Sequence, residues 1–475
     1  MAVNDKDPTE AILLVEQTIG TFNQIVVGQE GQMVPVPGYP DQPTLAERVK
    51  QNLKPSTDAA AGFAAQAASS AKAADDSAKL ASQISGLETV ADAIGLTALP
   101  LPDVWAPLSD SLRLITGYGR DVLVGSDVVA RMVNFSRNST ATYIGKDGLL
   151  KTAAANEPRF EKEGLLIEGQ STNLTQRSED WDFFNHVTGG TTVKTATEQN
   201  PYGASSQIKS AVCAIANSNV SLVGAPQDMT GVKSLSVFFN IKVAPSGFFV
   251  YVASASDKVT ISPAGEISSV ASGLTATVKP VGGAGWRRLT ISTGIAVSRF
   301  SFNLPNVSDE IAFWGVQTEA LPFASSYIPT AGAAATRAKE SLYLAPSGNV
   351  PSDINMAFAA QIKLMGKGLN SWPRVFEISD PANKGPFIDM TTGMWGGANL
   401  VGVRKTVAAR FSDTSRWLDG VNLGSAWQPY PVKTYSDPVY IAGSNAVGSR
   451  DFYGHVRNVR AWFFSPTDDQ MKAIR

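Results

Sequence analysis

Cysteine and histidine are nearly absent from this chain of 475 residues. Cys213 is the single cysteine, so an intrachain disulfide framework is impossible and a zinc site built from several thiolates is excluded. His186 and His455 are the only histidines. His186 lacks an acid-rich neighbourhood, and His455 fits a cross-strand structural pair. We therefore expect neither a metal centre nor a histidine-activated nucleophile, and stability has to come from core burial or oligomerisation.

Long apolar runs and blocks of one charge are also missing. No stretch reaches the roughly 20 apolar residues that a membrane-spanning helix needs. The opening residues, MAVNDKDPTE, lack the basic region and apolar segment of a secretory signal. The 40 basic and 42 acidic residues leave a net charge of −2 without a polybasic run, which disfavours nucleic acid as a partner. These features predict a chain that is made in a cytoplasm and stays soluble.

Helical signals are concentrated near the amino terminus. Residues 1–55 form a small leading unit with an apolar, partly alternating stretch and a short helix, where Thr44 and Glu47 have the spacing of a capping box. Residues 56–95 are rich in alanine, and the spacing of four and three predicts a coiled-coil stalk of several close-packed chains. A lone helix lying on a neighbouring domain and a flexible linker are the alternatives. The stripe consists of Ala60, Ala64, Ala67, Ala71, Ala74, Ala78 and Ala81.

Strand patterns dominate the rest of the chain. Stretches such as LSVFFNIKVA and RRLTISTGIAV alternate with period two between turn residues. The sequence predicts a mainly β fold with an N-terminal α-helical coiled-coil stalk and two tandem β-sandwich (jelly-roll) domains. The expected boundaries are a connector with short strands over 96–177, a first sandwich over 178–335 and a second over 336–475. A short helix capped at Ser465 closes the chain.

One segment carries a specific resemblance. FSRNSTATYIGKDGLLKTAAANEPRFEKEGLLIEGQSTNL, residues 135–174, closely resembles a segment of bacteriophage tail fibre and tail-associated proteins. Residues 285–292 and 311–330 resemble the closing strands of the carbohydrate-binding-module-like sandwich that follows this segment in such proteins. Three further stretches resemble concanavalin-A-like (laminin-G-like) domains: 416–424, 439–444 and 452–474.

The resemblance implies a phage tail fibre or receptor-binding subunit, assembled in the host cytoplasm and located in the virion. It implies a homotrimer that docks to a tail or baseplate protein through its N-terminus. The C-terminal sandwiches would bind a bacterial surface glycan or an outer-membrane receptor. Two alternatives stay open: a structural fibre segment or adaptor that carries a separate adhesin, and a tailspike depolymerase. Within this scheme, residues 135–160 are expected to act as a rigid joint without chemistry.

Aromatic residues supply the candidate glycan site. Sugar rings stack on flat aromatic faces, while amides and charged groups bind their hydroxyls. Trp395 lies in the glycine-rich TGMWGGANL with Asn399, and Trp427 and Tyr430 lie in SAWQPYPVKTY. Packing in the core or at an interface is the alternative for each ring. Four other tryptophans lie inside apolar strand patterns and are expected in the core: Trp286, Trp314, Trp417 and Trp462.

Catalytic motifs are not found. A glycosidase needs only two carboxylates, yet the E-x-D-x-x-E strand pattern of concanavalin-like glycosidases does not occur, and neither does a D-x-D-x-D-G calcium loop. In FYGHVRNVRAWFF, period two would place Tyr453, His455, Arg457 and Val459 on one strand face. We expect no enzymatic activity, no catalytic residue, no metal and no cofactor.

Overall fold

The computed structural model describes residues 8–53, 61–74, 99–179, 190–223, 230–297, 299–351, 355–366, 373–378, 387–389, 394–395, 397–425, 438–444 and 450–475. The chain forms two compact units, Met1–Ala98 and Leu99–Arg475. Antiparallel strands dominate the second unit, which confirms the prediction of a mainly β protein. Among the helices of these ranges, none is long and apolar enough to span a membrane.

The first unit contains helices and one small hairpin. Its elements are α1 (Pro8–Val27), β1 (Met33–Val36), β2 (Tyr39–Pro43), α2 (Leu45–Arg48), a π-helical turn (Val49–Leu53) and a helix over residues 61–74. The stretch that reads as partly alternating is therefore helical. Its apolar residues also satisfy helical spacing, and short apolar runs cannot be assigned from periodicity alone.

Thr44 caps α2, as predicted, but the capping box is incomplete. The Thr44 hydroxyl accepts a hydrogen bond from the Glu47 amide at 3.2 Å. The Glu47 carboxylate accepts instead from the Gly31 amide at 2.7 Å. The acidic residue thus ties the turn before β1 to α2, a contact 16 residues apart that a local motif does not encode.

The alanine stripe lies on an exposed helix as far as it is described. Ala64, Ala67, Ala71 and Ala74 all belong to the helix over residues 61–74, and every residue of that helix is exposed. Ala60, Ala78 and Ala81 lie outside the described residues. The coiled-coil stalk stays a prediction, because a stalk forms only between chains.

The strands of the second unit fall into three runs along the chain. The first run is β3 (Val104–Ala106), β4 (Arg120–Val124), β5 (Asp127–Met132), β6 (Asn134–Ser136), β7 (Ala141–Ile144), β8 (Leu150–Ala153), β9 (Arg159–Glu161), β10 (Gly164–Glu168) and β11 (Ser171–Asn173). The second run is β12 (Thr191–Gln199), β13 (Ser205–Cys213), β14 (Ser218–Val223), β15 (Ser234–Val243), β16 (Phe248–Tyr251), β17 (Lys258–Ile261), β18 (Ile267–Val270), β19 (Leu274–Pro280), β20 (Arg287–Thr293), β21 (Arg299–Leu304) and β22 (Glu310–Glu319). The third run is β23 (Ala335–Arg337), β24 (Ser341–Leu344), β25 (Ala357–Leu364), β26 (Arg374–Ile378), β27 (Phe387–Asp389), β28 (Met394–Trp395), β29 (Ala398–Asn399), β30 (Lys405–Arg410), β31 (Ser415–Leu418), β32 (Val421–Ser425), β33 (Val439–Ile441) and β34 (Tyr453–Trp462), followed by the helix α3 (Asp468–Lys472).

Strands drawn from the first and third runs build what we call the terminal body. One sheet has the order β32-β31-β30-β25-β34-β10-β9, with β3 also paired to β34, and the other has the order β27-β26-β33-β24-β6. Alternate residues of both sheets meet in one core, for example Ile167, Phe358, Phe376 and Ile441. The terminal body therefore takes its strands from both ends of the unit Leu99–Arg475.

The second run builds the inserted body, which interrupts the terminal body. Its two sheets have the orders β12-β13-β22-β15-β20-β19 and β14-β21-β16-β17-β18. They enclose an aromatic core that includes Phe239, Phe248, Phe302 and Phe313. The chain enters and leaves through the paired strands β11 and β23, where Ser171 lies opposite Arg337.

The predicted connector over 96–177 is divided between the two bodies. Strands β3, β6, β9 and β10 join the sheets of the terminal body. The hairpin β7–β8, whose turn is the predicted GKDG, places Leu150 in an apolar cluster with Trp314 and Tyr327 of the inserted body. These partners lie more than 160 residues away, so the local strand pattern could not reveal them.

The final helix begins later than predicted. Thr467, not Ser465, is the N-cap of α3, because its hydroxyl accepts from the Gln470 amide and the Gln470 side chain accepts from the Thr467 amide at 2.9 Å. This reciprocal pair is a complete capping box. Met471 of α3 then packs on the buried rings of Trp417 and Trp462.

Candidate functional site

The predicted glycan platform at Trp395 is corrected by the structure. The Trp395 side chain is 2% exposed and belongs to the core of the terminal body. Its indole Nε1 donates a hydrogen bond to the Trp417 carbonyl at 2.9 Å. A ring that is covered on its faces cannot stack on a sugar. Asn399 is exposed, but its side-chain oxygen accepts from the Val401 amide at 3.0 Å and thus shapes the local turn.

A tight hairpin explains why the glycine-rich stretch buries its tryptophan. Trp395 and Ala398 are paired across β28 and β29, and Gly397 has a φ of +89°, which favours glycine. The turn directs the ring inward. Trp427 and Tyr430 lie outside the described residues. The four tryptophans expected in the core are all buried, as predicted: Trp286, Trp314, Trp417 and Trp462.

Five buried charged residues form what we call the junction network: Arg137, Arg159, Glu168, Arg337 and Glu340. Arg159 Nη2 lies 2.8 Å from Glu168 Oε2 and 2.6 Å from Glu340 Oε2. Arg137 Nη1 lies 2.7 Å from Glu340 Oε1, and Arg337 Nε lies 3.5 Å from Glu168. Each side chain is at most 1% exposed. Arg137 and Arg159, the two arginines of the predicted joint over residues 135–160, are therefore structural ion-pair partners.

The junction network continues into the inserted body through serine and glutamate. Ser326 donates from its hydroxyl and its amide to the Glu168 carboxylate, at 2.6 and 2.9 Å. Arg159 Nη1 donates to the same hydroxyl at 2.8 Å. Nearby, Glu319 accepts from the hydroxyls of Ser171 and Ser325, each at 2.5 Å. Because these donors are buried, a shift of one body against the other would leave polar groups unpaired.

Stability should fall in acid because of Glu168. Burial acts to raise its pKa, but the charges of Arg337 and Arg159 and the hydrogen bonds from Ser326 outweigh it, so the pKa drops from 4.5 to about 2. A lowered carboxyl pKa stabilises the fold above the unfolded-state pKa, and this contribution is lost as the pH falls from about 4.5 to about 2. The loss is on the order of 3 kcal/mol.

Urea unfolding between pH 6 and pH 2 measures this loss. The variant Glu168→Gln should have a flatter pH dependence than the native chain in that window, at a lower absolute stability. Asp147→Asn is the matched control, since Asp147 pairs with Lys151 on the surface. Equal pH slopes for the native chain and Glu168→Gln would contradict the assignment.

A second group of polar residues lies on the outer face of the eight-stranded sheet. Along β25, Phe358, Ala360 and Ile362 point into the core, so Gln361 and Lys363 point outward. Their antiparallel partners on β34 are Arg457 and His455. We call this surface the polar strip, and it consists of Glu161, Glu163, Gln361, Lys363, Arg404, His455 and Arg457.

The polar strip holds more cationic than anionic side chains. Two of the cations, Lys363 and Arg404, bind the carboxylate of Glu163. Lys363 Nζ lies 3.1 Å from Glu163 Oε1, and Arg404 pairs with the other oxygen of Glu163. Burial acts to raise the pKa of Glu163, but Lys363 and Arg404 outweigh it and lower the pKa. Desolvation, followed by the charge of Arg404, lowers the pKa of the nearby Arg457. These side chains are about one quarter to one third exposed, so ligand atoms can reach them.

His455 closes one end of the strip. Its Nε2 lies 2.8 Å from Glu161 Oε2, across the intervening β10, which confirms the predicted structural pair. Glu161 follows Arg159 of the junction network by two residues on β9. The strip therefore adjoins the junction between the two bodies.

A β-bulge marks the other end of the strip. The register between β25 and β34 shifts after Ala359, and Asn458 has a φ of +51°. The amide oxygen of Asn458 accepts from Nε1 of the half-buried Trp105 at 2.9 Å. Bulges commonly lie beside functional sites, where they redirect side chains. This bulge also turns Val459 into the core, so Val459 does not share the face of Tyr453, His455 and Arg457 as period two predicts.

A glycosidase in the β-rich half would need two acidic residues free to act, but most candidates there are held by other side chains. Glu319 is buried and held by hydroxyls, and burial raises its pKa. Asp380 lies outside the described residues, and Asp389 lies in β27. Five others pair with cations: Glu310 with Lys194, Glu377 with Arg374, Asp413 with Arg410, Asp419 with Lys405 and Asp451 with Lys339. Within the described ranges, no three His, Cys, Asp or Glu residues are grouped to hold a metal ion.

Comparison with known proteins does not assign the chain to a family. No protein-family model matches the chain, and no curated protein matches it.

Proposed function

We propose that the chain is a bacteriophage tail fibre subunit whose polar strip binds a bacterial surface glycan. In this proposal the N-terminal unit attaches to a tail or baseplate protein, and three chains associate through the alanine stripe. The terminal and inserted bodies act as jelly-roll β-sandwiches that form one binding head. The resemblance of residues 135–174 supplies the assignment to a fibre.

The polar strip is the observation that carries the binding half of the proposal. A half-buried indole at Trp105, the Asn458 amide beside it, and the partly exposed side chains of Arg457, Arg404 and Lys363 lie along one sheet face. Amides and cations bind sugar hydroxyls and acidic substituents, while an indole packs on apolar sugar C–H groups. Three such strips on one trimer would raise the overall affinity by avidity.

The junction network supports a head that acts as a single rigid part. Ion pairs and hydrogen bonds without solvent access hold both bodies through Arg159, Glu168 and Ser326. A rigid head keeps the strip in a fixed orientation, so that three strips can bind one surface together. No enzymatic step is included in this proposal.

A structural adaptor is the second candidate, and one observation favours it. Trp395, which the sequence predicts as a glycan-stacking residue, is buried. Under this alternative the chain connects the tail to a separate adhesin, and the polar strip contacts protein. Isolated trimers would then bind no host glycan.

Substitution of the strip cations tests the proposal. Arg404→Gln with Arg457→Gln should weaken binding to purified host surface polysaccharide by about 100-fold or more, because each of the two charged hydrogen bonds contributes about 1.5–3 kcal/mol. Biolayer interferometry on immobilised polysaccharide measures the change. Both side chains are partly exposed, so the melting temperature should stay within a few degrees of the native value.

A matched pair of surface substitutions controls for net charge. Arg120→Gln with Arg131→Gln removes the same charge from the exposed hairpin β4–β5 and should leave binding unchanged. Equal binding by the strip variant and the native chain would place the glycan elsewhere. Absence of binding by the native chain to every polysaccharide tested would favour the adaptor.

A further inference from the structure

We propose that α1 is a self-association helix that packs against the α1 helices of two further copies of this chain. The contact face, which we call the α1 stripe, consists of Ile12, Val15, Ile19, Phe22 and Val26. The inference deepens the proposed homotrimer and rests on it, because it adds a second zone of chain contact to the alanine stripe. It is independent of glycan binding.

The α1 stripe is apolar and largely exposed within the single chain. Its five side chains are 60%, 56%, 54%, 64% and 41% exposed, in sequence order. Leu13, Leu14 and Val27 of the same helix are also exposed. Monomeric proteins rarely expose contiguous apolar patches larger than a few hundred Å². A helix with this much apolar surface is expected to be covered by a partner.

The spacing of the stripe fits other helices as the partner. Its residues recur at intervals of three, four, three and four, which is the a/d repeat of a coiled coil. At 100° per residue they lie within one narrow sector of the helix. The face that packs within the chain is different: Thr21 and Ile25 are partly buried, and α1 contacts β1 and α2. That sector lies about 120° away round the helix, so the α1 stripe lies apart from the contacts that α1 makes with the other described elements.

The residue types favour three chains. Ile12, Ile19 and Val26 take the a positions, and Val15 and Phe22 take the d positions. Two-stranded coils prefer leucine at d, and neither d residue of α1 is leucine. β-branched residues occupy all three a positions and one of the two d positions, and β-branched residues at both kinds of position shift the preference towards trimers. The acidic residues of α1 are Glu10 and Glu16, and the helix has no lysine or arginine. A membrane surface is therefore a poor partner, since interfacial helices carry basic residues on their polar face.

The mass of the full chain in solution tests the inference. By sedimentation equilibrium, the native protein should have about three times the chain mass of 50.2 kDa. Ile19→Asp with Phe22→Asp should raise the trimer dissociation constant by roughly 100-fold or more, since charges enter an apolar interface. Gln17→Asp with Gln24→Asp is the matched control on exposed f positions of the same helix. That control should change the constant less than about threefold.

A third variant separates this inference from the proposed stalk. Ala67→Asp with Ala71→Asp disrupts the alanine stripe and leaves α1 intact. Trimer loss in both the α1 variant and the stalk variant supports two contact zones. Trimer loss in the stalk variant alone overturns the role of α1 and leaves the proposed homotrimer standing. A native chain that is monomeric at every concentration overturns both.

Discussion

Arg159→Met is expected to lower the free energy of unfolding of the β-rich unit by about 3–5 kcal/mol. Arg159 contacts the carboxylates of Glu168 and Glu340, the Ser326 hydroxyl and the Thr142 carbonyl, all without solvent access. Removing Arg159 leaves the buried carboxylates of Glu168 and Glu340 with less positive charge to balance them. The cost of such a break exceeds the net stabilisation by the intact pair, because desolvation offsets much of the Coulomb energy.

Urea unfolding followed by tryptophan fluorescence measures the effect of Arg159→Met. Because the junction network joins both bodies, we also expect the unfolding of the two bodies to separate into distinct steps. Arg131→Met is the matched control, since Arg131 pairs with Asp121 and both side chains are more than 40% exposed. The control should cost less than about 1 kcal/mol. A loss below 1 kcal/mol for Arg159→Met would mean that the network does not hold the bodies.

The substitution Trp395→Ala should have the second large effect. It should lower the free energy of unfolding and leave glycan binding intact. Truncating a fully buried tryptophan costs about 3–5 kcal/mol through lost burial and the cavity it leaves. The variant also removes the donor to the Trp417 carbonyl. Glycan affinity of the protein that remains folded should equal that of the native chain.

Thermal unfolding and glycan binding, measured on the same preparation, distinguish a loss of stability from a loss of glycan affinity. Asn399→Ala, on the strand paired with Trp395, is the control and should cost at most about 1 kcal/mol, because it loses one exposed hydrogen bond. A Trp395→Ala chain with native stability and weakened glycan binding would restore the stacking role predicted from the sequence.

The features that depend on local pattern could be predicted from the sequence. Alternation in the strand runs gives a mainly β fold, and apolar strand context places Trp286 and Trp462 in the core. Thr44 was identifiable as a cap because a cap needs only its own turn. The cross-strand role of His455 followed from its position in an alternating strand, although Glu161 could not be named as its partner.

The features that depend on distant pairing could not be predicted. Strand β10 pairs with β34 across nearly 290 residues, so the connector read as a separate segment. Arg159 and Glu340 are 181 residues apart, and nothing local marks either as buried. Trp395 was misplaced because a glycine-rich turn reads as exposed, whereas here the turn directs the ring inward. Part of the polar strip could be predicted, because alternation along β25 points Gln361 and Lys363 outward. The rest could not, because the bulge at Asn458 changes which residues of β34 face outward.

Binding of the labelled protein to Gram-negative cells, followed over time with an assay of released sugar, distinguishes glycan binding from glycan cleavage. Matched strains with and without O-antigen or capsule provide the comparison. We expect stable binding that requires the surface glycan, that is weakened by Arg404→Gln with Arg457→Gln, and that releases no sugar. Binding that decays as reducing sugar appears would contradict it and identify a depolymerase. Equal binding to strains with and without the glycan would also contradict it.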